Sequence, residues 1–337
     1  MTTTTPTPRG RTRRIAAAGC AAALVALTAC SSTGGKPQET GGEMASGQAD
    51  TPRFTVAMVT HGPPGDTFWD LIRKGAETAA AKDNIDLKYS AELQGPDQAN
   101  LVQNALDSKV DALAVTLARP DALRSAVASA SSSGIPVVAF NAGIDDWKAM
   151  GIQSYFGQDE RISGEAAGKR LASDGATKVV CVIQDQGNVA LESRCAGVAA
   201  GFGGTVETLN VNGTDMPSVQ STITAKLQQD PAIDHIITLG APIALTAVQS
   251  VQNAGSTAAI ATFDTNAELV DAIEEGTVQW AVDQQPFLQG YLAVDALWLY
   301  LNNRNVVGGG LPTLTGPAFI DKSNIDAIAE YARNGTR

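Results

Sequence analysis

The chain has 337 residues, a formal net charge of −11 and two histidines. The negative charge argues against a nucleic-acid-binding protein, because phosphate groups require a basic protein surface. Two histidines cannot build a histidine-based metal cluster, and the four cysteines do not have the spacing of a zinc site.

The N-terminal segment has the pattern of an export signal. Four arginines precede an apolar run from Ile15 to Ala29, which is shorter than the roughly 20 residues needed to span a bilayer and ends in small residues. Leu27–Cys30 resembles the lipobox of bacterial lipoproteins. We therefore predict a lipoprotein signal peptide over 1–29 and a lipid on Cys30 that holds the exported protein at the outer face of the cytoplasmic membrane. An uncleaved anchor helix is the alternative.

The signal is followed by a polar segment and then by a long globular region. Residues 30–52 are rich in Gly, Ser, Thr, Gln and Glu, so they cannot bury enough apolar surface to fold, and we predict a disordered tether. The remaining 53–337 exceeds what one hydrophobic core comfortably holds, which predicts two lobes.

From Arg53 onward, short apolar runs alternate with segments of helical period. Several runs are almost continuously apolar and β-branched, as strands buried on both faces are. The predicted strands are Phe54–Thr60, Leu87–Tyr89, Ala112–Thr116, Pro136–Phe140, Lys178–Ile183, Val206–Asn210, His235–Leu239, Ala258–Phe263 and Val278–Asp283. This alternation predicts an α/β fold with two doubly wound parallel sheets of five or six strands.

The order of the strands predicts where the chain changes lobes. The first four strands build one lobe, Ser154–Gln158 is a short crossover, and Lys178–Asp283 builds the other lobe. The apolar helix Phe287–Leu301 comes after the second lobe is complete, so we expect it to return to the first. The predicted lobes are an N-terminal lobe of 53–157 plus 285–312 and a C-terminal lobe of 158–284 plus 313–337.

Polar and aromatic residues lie near the predicted strand ends, where ligands bind in doubly wound sheets. The first strand leads through a Gly-rich loop to Asp66, Phe68 and Trp69. This loop could also cradle phosphate, but it has no lysine and no G-x-G-x-x-G spacing. Flat aromatic faces on C–H surfaces, with carboxylates on hydroxyls, are how proteins hold carbohydrates, although either aromatic could belong to the core. The other candidate ligand-binding residues are Thr116, Asn141, Arg194, Asp264 and Gln284, followed by His61 and Gln158.

Two cysteines remain once the signal peptide is removed and Cys30 is lipidated. Cys181 and Cys195 would then lie in an oxidising compartment, where a disulfide persists. We predict that they are bonded to each other; two free thiols are the alternative.

Taken together, these motifs resemble the ribose/galactose-type periplasmic sugar-binding proteins, which serve ABC importers. The resemblance covers nearly all of 53–333 and depends on the order and spacing of several segments, since each is weak alone. Those segments are Phe54–Thr60 with Asp66–Trp69, Gly134–Val138, Glu192–Gly197, Thr262–Asp264 and Asp283–Pro286. The resemblance implies a type I periplasmic binding protein fold, in which three strands form the hinge between the lobes, and implies no cofactor or metal.

The resemblance also implies roles for the candidate residues. Asp66 takes the place of a hydroxyl-binding Asn or Asp, and Phe68 and Trp69 take that of two sandwiching aromatics. Arg194 would bind ring or hydroxyl oxygens, while Asp264 and Gln284 would act from the second lobe and the hinge.

The chain departs from the family pattern at four positions. Asn141 and Ala142 stand where the family usually has Asp and, in ribose and galactose binders, Arg. Gly240 and Ala241 replace an Asn-Asp pair. These departures remove hydrogen-bonding groups, so the identity of the ligand does not carry over.

The resemblance implies a monomeric solute-binding lipoprotein that delivers a neutral monosaccharide, sugar alcohol or cyclitol to an ABC permease. An uncharged ligand is favoured because Asp66 and Asp264 outnumber Arg194 in the candidate pocket. A lipoprotein that presents its ligand to a membrane sensor is one alternative. An exported hydrolase is another, but the sequence has no G-x-S-x-G motif and no Ser-His-Asp constellation.

Overall fold

The computed structural model describes residues 47–337, so the predicted signal peptide and the lipid site at Cys30 lie outside the described residues. The first lobe begins with β1 (Phe54–Thr60), α1 (Thr67–Lys82), β2 (Ile85–Ala91), α2 (Gly95–Asp107), β3 (Ala112–Val115), α3 (Pro120–Ser132), β4 (Val137–Phe140) and β5 (Ser154–Gly157). Asp66 begins α1, because its side chain accepts a hydrogen bond from the backbone N–H of Phe68.

The chain then builds the second lobe and returns. The second lobe contains α4 (Glu160–Ser173), β6 (Lys178–Ile183), α5 (Val189–Phe202), β7 (Thr205–Asn210), α6 (Met216–Gln229), β8 (His235–Thr238), α7 (Ala241–Ala254), β9 (Ala259–Phe263), α8 (Ala267–Glu275) and β10 (Trp280–Asp283). The last elements are α9 (Pro286–Asn303), β11 (Thr313–Leu314), β12 (Ala318–Asp321), a 3₁₀ turn (Ile325–Ala327) and α10 (Ala329–Arg333).

Each lobe is organised around one six-stranded sheet. The strand order is β11-β5-β4-β3-β1-β2 in the first lobe and β12-β10-β9-β8-β6-β7 in the second. All neighbouring strands are parallel except β12, which runs antiparallel to β10. Every residue of the central strands β3, β4 and β8 is buried, because helices cover both faces of each sheet. The predicted doubly wound α/β fold is confirmed.

The chain crosses between the lobes three times, at 157–160, 283–286 and 314–318. The boundary predicted after residue 312 is wrong by two residues. Thr313 and Leu314 pair in parallel with Phe156 and Gly157, so β11 forms the edge of the first sheet. A two-residue edge strand has too little apolar pattern to be recognised in the sequence.

The predicted tether also ends earlier than expected. The backbone N–H of Ala49 donates to Lys82, and the side chains of Asn84 and Trp298 donate to the carbonyl and hydroxyl of Thr51. These bonds fix the chain against α1 and α9 before residue 52, because they give its polar backbone partners in the first lobe.

Glycines allow very close helix packing in both lobes. A Cβ atom at Gly75 in α1 or at Gly290 in α9 would lie 2.0 Å or 1.9 Å from a backbone oxygen of the opposite helix. In the second lobe, a Cβ at Gly164 in α4 would lie 2.3 Å from the carbonyl oxygen of Arg194 in α5. The backbones of α4 and α5 therefore touch, and this contact brings the first turn of α4 beside Arg194.

A disulfide joins α5 to the sheet. Cys181 in β6 and Cys195 in α5 are bonded, with their Cα atoms 5.9 Å apart. Across 47–337, no helix is both long enough and apolar enough to cross a bilayer.

Candidate ligand-binding cleft

A cavity of about 1040 Å³ lies between the two lobes at the carboxyl ends of the strands. This is where doubly wound sheets bind ligands, and the volume lies at the upper end of the range for small-molecule sites. Eight of the predicted site residues line it: His61, Asp66, Phe68, Trp69, Asn141, Arg194, Asp264 and Gln284.

The aromatic wall of the first lobe differs from the arrangement that the resemblance implied. The rings of Phe68 and Trp69 contact each other edge to face, with centroids 5.3 Å apart and planes at 85°. His61 packs on Trp69 in the same way, at 4.6 Å. The prediction of two sandwiching aromatics is therefore wrong, because perpendicular rings in direct contact leave no space for a ligand between them. Together they form one corner of the cleft.

Two predicted ligand-binding residues lie behind the cleft wall instead of in it. The Thr116 hydroxyl accepts a hydrogen bond from the backbone N–H of His61 at 3.1 Å, and the Thr116 carbonyl accepts from the Gln98 amide at 2.9 Å. Gln158 donates to Glu160 at 2.8 Å and accepts from Ser163. Both side chains are completely buried and neither lines the cleft, so their prediction as direct ligand contacts is wrong.

Arg194 is held by the protein from several directions. Its Nε and Nη2 both bond the carboxylate of Glu160, with Nη2 to Oε1 at 2.9 Å, and its Nη1 donates to the carbonyl of Leu239 at 3.2 Å. Arg194 and Glu160 are each about 3% exposed. Three of the five N–H groups of the guanidinium are therefore engaged, which leaves two for a ligand.

A chain of amides and a carboxylate crosses from the first lobe to the second through the hinge. Asn141 donates to Gln284 Oε1 at 3.4 Å, and Gln284 Nε2 donates to Asp264 Oδ1 at 2.7 Å. Burial raises the pKa of Asp264 to about 7, although nearby Arg194 and the bond from Gln284 favour the ionised form.

Asn141 and Asp264 occupy equivalent positions in the two lobes. Asn141 follows β4, Asp264 follows β9, and both have a φ of 65°. Asn and Asp tolerate this left-handed conformation better than most residues. The repeat of four strands in each lobe thus places one polar side chain from each side into the same cleft.

The sequence reasoning missed several residues that line the cleft. They include Arg119 from the first lobe and Gln184, Asp185, Asn188 and Thr265 from the second. The internal repeat could have identified two of them: Gln184 follows β6 as His61 follows β1, and Asn188 begins α5 as Asp66 begins α1. Oxygen atoms of Gln184 and Thr265 are buried with no hydrogen-bond partner among the described residues.

The cleft is built from amides, carboxylates, aromatic rings and two arginines. No group of three or more His, Cys, Asp or Glu side chains that could hold a metal ion occurs in 47–337.

Residues 56–305 match the family model described as the periplasmic binding protein domain. The chain belongs to this family. This confirms the resemblance drawn from the motifs, and it agrees with the two-lobed fold. Membership of this family is consistent with a function in ligand binding, as opposed to catalysis.

Three relatives show how close the similarity is. A crystal structure of a carbohydrate transporter from Acidothermus cellulolyticus 11B, in complex with myo-inositol, is 57% identical, with a TM-score of 0.84 over 85% of this chain and 100% of that one. A xylose/arabinose-binding protein of Sulfolobus acidocaldarius is 29% identical over 67% of this chain, and the match spans 60% of that relative's length. The ribose import binding protein of Bacillus subtilis is 24% identical over 84% of this chain and 92% of that protein.

Proposed function

We propose that this periplasmic binding protein is the extracytoplasmic solute-binding lipoprotein of an ABC importer, and that it binds a neutral polyhydroxyl compound in the cleft. A cyclitol or sugar alcohol is favoured over a pentose or hexose. The observation that carries the proposal is the pairing of charges in the cleft. Both arginines of the described lining already have carboxylate partners: Arg119 bonds Asp185 at 2.5 Å, and Arg194 bonds Glu160.

An anionic ligand would therefore meet no unpaired arginine in the cleft. It would instead meet Asp66 and Asp264, and a like-charge contact in the closed cleft is unfavourable by roughly several kcal/mol. Neutral hydroxyls avoid this cost because they can donate to both carboxylates and accept from the amides. Leaving a buried hydrogen-bonding group unpaired costs about 1–3 kcal/mol, so the positions of the hydroxyls determine which stereoisomer binds.

Two further observations support a cyclitol. Asn141 lines the cleft and Ala142 is buried beside it, so neither position carries a charge where the family usually has an Asp-Arg pair. The relative from A. cellulolyticus, whose structure contains myo-inositol, is similar to 85% of this chain over the whole of its own length.

A thermal-shift panel tests the ligand class. Myo-inositol, xylitol, ribose and arabinose represent neutral ligands, and myo-inositol 1-phosphate and an amino acid represent charged ones. We expect myo-inositol or another neutral member to raise the melting temperature, because a ligand that binds only the folded state stabilises it. Stabilisation by the phosphate or the amino acid, and by no neutral compound, would sink the proposal.

The proposal includes a lipid anchor on Cys30 and a permease partner. It is supported by the export pattern of 1–29 and by the family of the globular region. In a bacterial host, we expect the wild-type protein in the membrane fraction and the Cys30→Ala variant in the soluble exported fraction. Equal partition of the two proteins would rule out the anchor.

A pull-down experiment tests the permease partner. We expect the ligand-loaded protein to recover an ABC permease and the ligand-free protein to recover none.

A further inference from the structure

The two lobes bond directly to each other along the side of the cleft that is far from the hinge strands. Arg119 after β3 bonds Asp185 after β6 at 2.5 Å, and the backbone N–H of Val189 donates to the carbonyl of Ala118 at 3.1 Å. His61 Nε2 in the first lobe lies 3.2 Å from Asn188 Nδ2 in the second. We call His61, Arg119, Asp185 and Asn188 the clasp.

The hydrogen bonds of Asn188 fix which of its atoms faces His61. Its Oδ1 accepts from the backbone N–H of Ala190 at 3.1 Å, and its Nδ2 donates to Asp185 Oδ2 at 3.0 Å. Exchanging the two amide atoms would break both bonds. Asn188 therefore presents an N–H to His61 Nε2, and the bond forms only if Nε2 is an acceptor.

It follows that His61 is neutral in the clasp and carries its proton on Nδ1. That nitrogen lies 2.7 Å from the Thr116 hydroxyl, which can accept the proton's hydrogen bond. Protonation of Nε2 would place two N–H groups opposite each other with no acceptor between them. The bond between the lobes would then be lost.

The charged groups around His61 are Asp185, Arg119 and Arg194, and the ring packs on Trp69. Burial lowers the pKa of His61 to about 4; Asp185 opposes this shift, while Arg119 and Arg194 add to it. Separation of the lobes would return His61 Nε2 to water and move its pKa toward the usual value of about 6.5.

We propose that the clasp stabilises the closed arrangement of the two lobes only while His61 is neutral. Closure on the ligand then releases a proton from His61. This inference rests on the proposed ligand-binding function and extends it to the control of closure. Below about pH 6.5 the open form binds a proton that the closed form excludes. The affinity therefore falls with acidification, by up to about tenfold per pH unit between pH 6.5 and 4.

The test is calorimetric titration of myo-inositol at pH 7.5, 6.0 and 5.0, in buffers of different ionisation enthalpy, which counts the protons released. We compare the wild type with His61→Gln and, as a matched control, with His235→Gln. His235 is the other histidine of the chain and lies at the start of β8, where it bonds Asp234. Any contribution from Asp264 is common to all three proteins and cancels in the comparison.

We expect the wild type and His235→Gln to release more protons and to lose more affinity at pH 5.0 than His61→Gln does. Identical pH profiles for the wild type and His61→Gln would overturn the clasp.

If no neutral polyol binds at pH 7.5, the proposed ligand is wrong, and the clasp is tested by small-angle scattering without ligand. The radius of gyration should then rise from pH 7.5 to 5.0 in the wild type and stay constant in His61→Gln; an unchanged radius in the wild type would refute the clasp.

Discussion

Asp264 lines the cleft in an environment that is unfavourable for its charge. It is 5% exposed, and its one close hydrogen-bond donor is the amide of Gln284. In an unfolded chain this carboxyl ionises near its ordinary pKa of about 3.9, whereas burial raises the pKa to about 7 in the fold. Binding sites often retain such groups because function, not stability, requires them there.

The raised pKa predicts how stability depends on pH. Between about pH 4 and 7 the folded protein keeps a proton on Asp264 that the unfolded chain has lost. The unfolding free energy contributed by this group therefore falls as pH rises through that window. We expect Asp264→Asn to remove this fall and to unfold at higher denaturant concentration than the wild type at pH 8. Asparagine keeps the oxygen that accepts from Gln284 and tolerates the left-handed backbone.

Urea denaturation at pH 5, 6, 7 and 8 measures this effect. Asp215→Asn is the matched control, because the Asp215 carboxylate also accepts a hydrogen bond, in its case from the backbone N–H of Ser218, but is exposed. The control should keep the wild-type pH dependence. An Asp264→Asn variant with the same pH dependence as the wild type would contradict the assigned pKa.

At the scale of single residues, the sequence predicted where the site residues lie better than it predicted which way their side chains point. Apolar runs show where strands end, so His61, Asn141 and Asp264 could be placed at the cleft. The direction of a side chain depends on backbone pairing that the sequence does not show. Thr116 still donates its N–H to Val59 of β1, so its side chain stays inside the lobe. Glu160 could not be recognised, because an acid in a first helical turn is usually exposed.

At the scale of elements, α5 connects the lining of the cleft to the core of the second lobe. It carries Arg194, it packs on α4 through glycines without side chains between them, and it is bonded to β6 through Cys195. The start of α1 is visible in the sequence, because Asp66 is a residue type that caps helices, and its side chain accepts from the backbone N–H of Phe68. The pairing of β11 is not visible there, because it depends on a partner strand more than 150 residues earlier.

The disulfide should contribute measurably to stability. It closes a loop with a sequence separation of 14, which corresponds to about 3 kcal/mol in the chain-entropy account. We expect a reductant to lower the melting temperature of the wild type and to leave a Cys181→Ala/Cys195→Ala variant unchanged. Mass spectrometry under non-reducing conditions supplies the control for bond formation. Two free thiols in exported protein, or a melting temperature insensitive to full reduction, would contradict this prediction.

At the scale of the whole molecule, the design follows from two sheets joined by three strands. Each lobe has its own core, and the cleft lies where the carboxyl ends of both sheets face each other. Rotation about the three crossings can open and close this cleft, as in hinge-type domain motion. A ligand that contacts both lobes then stabilises the closed form through its higher affinity for that form.

Calorimetric titration of purified protein with myo-inositol at pH 7.5 tests the central claim most directly. The paired arginines, the buried carboxylates and the amide chain through the hinge predict binding of one neutral polyol per chain, with myo-inositol as the leading candidate. A dissociation constant in the micromolar range or below, and no binding of myo-inositol 1-phosphate, is the expected result. Saturable binding of the phosphate, with no heat from myo-inositol, xylitol or any neutral sugar, would contradict the account.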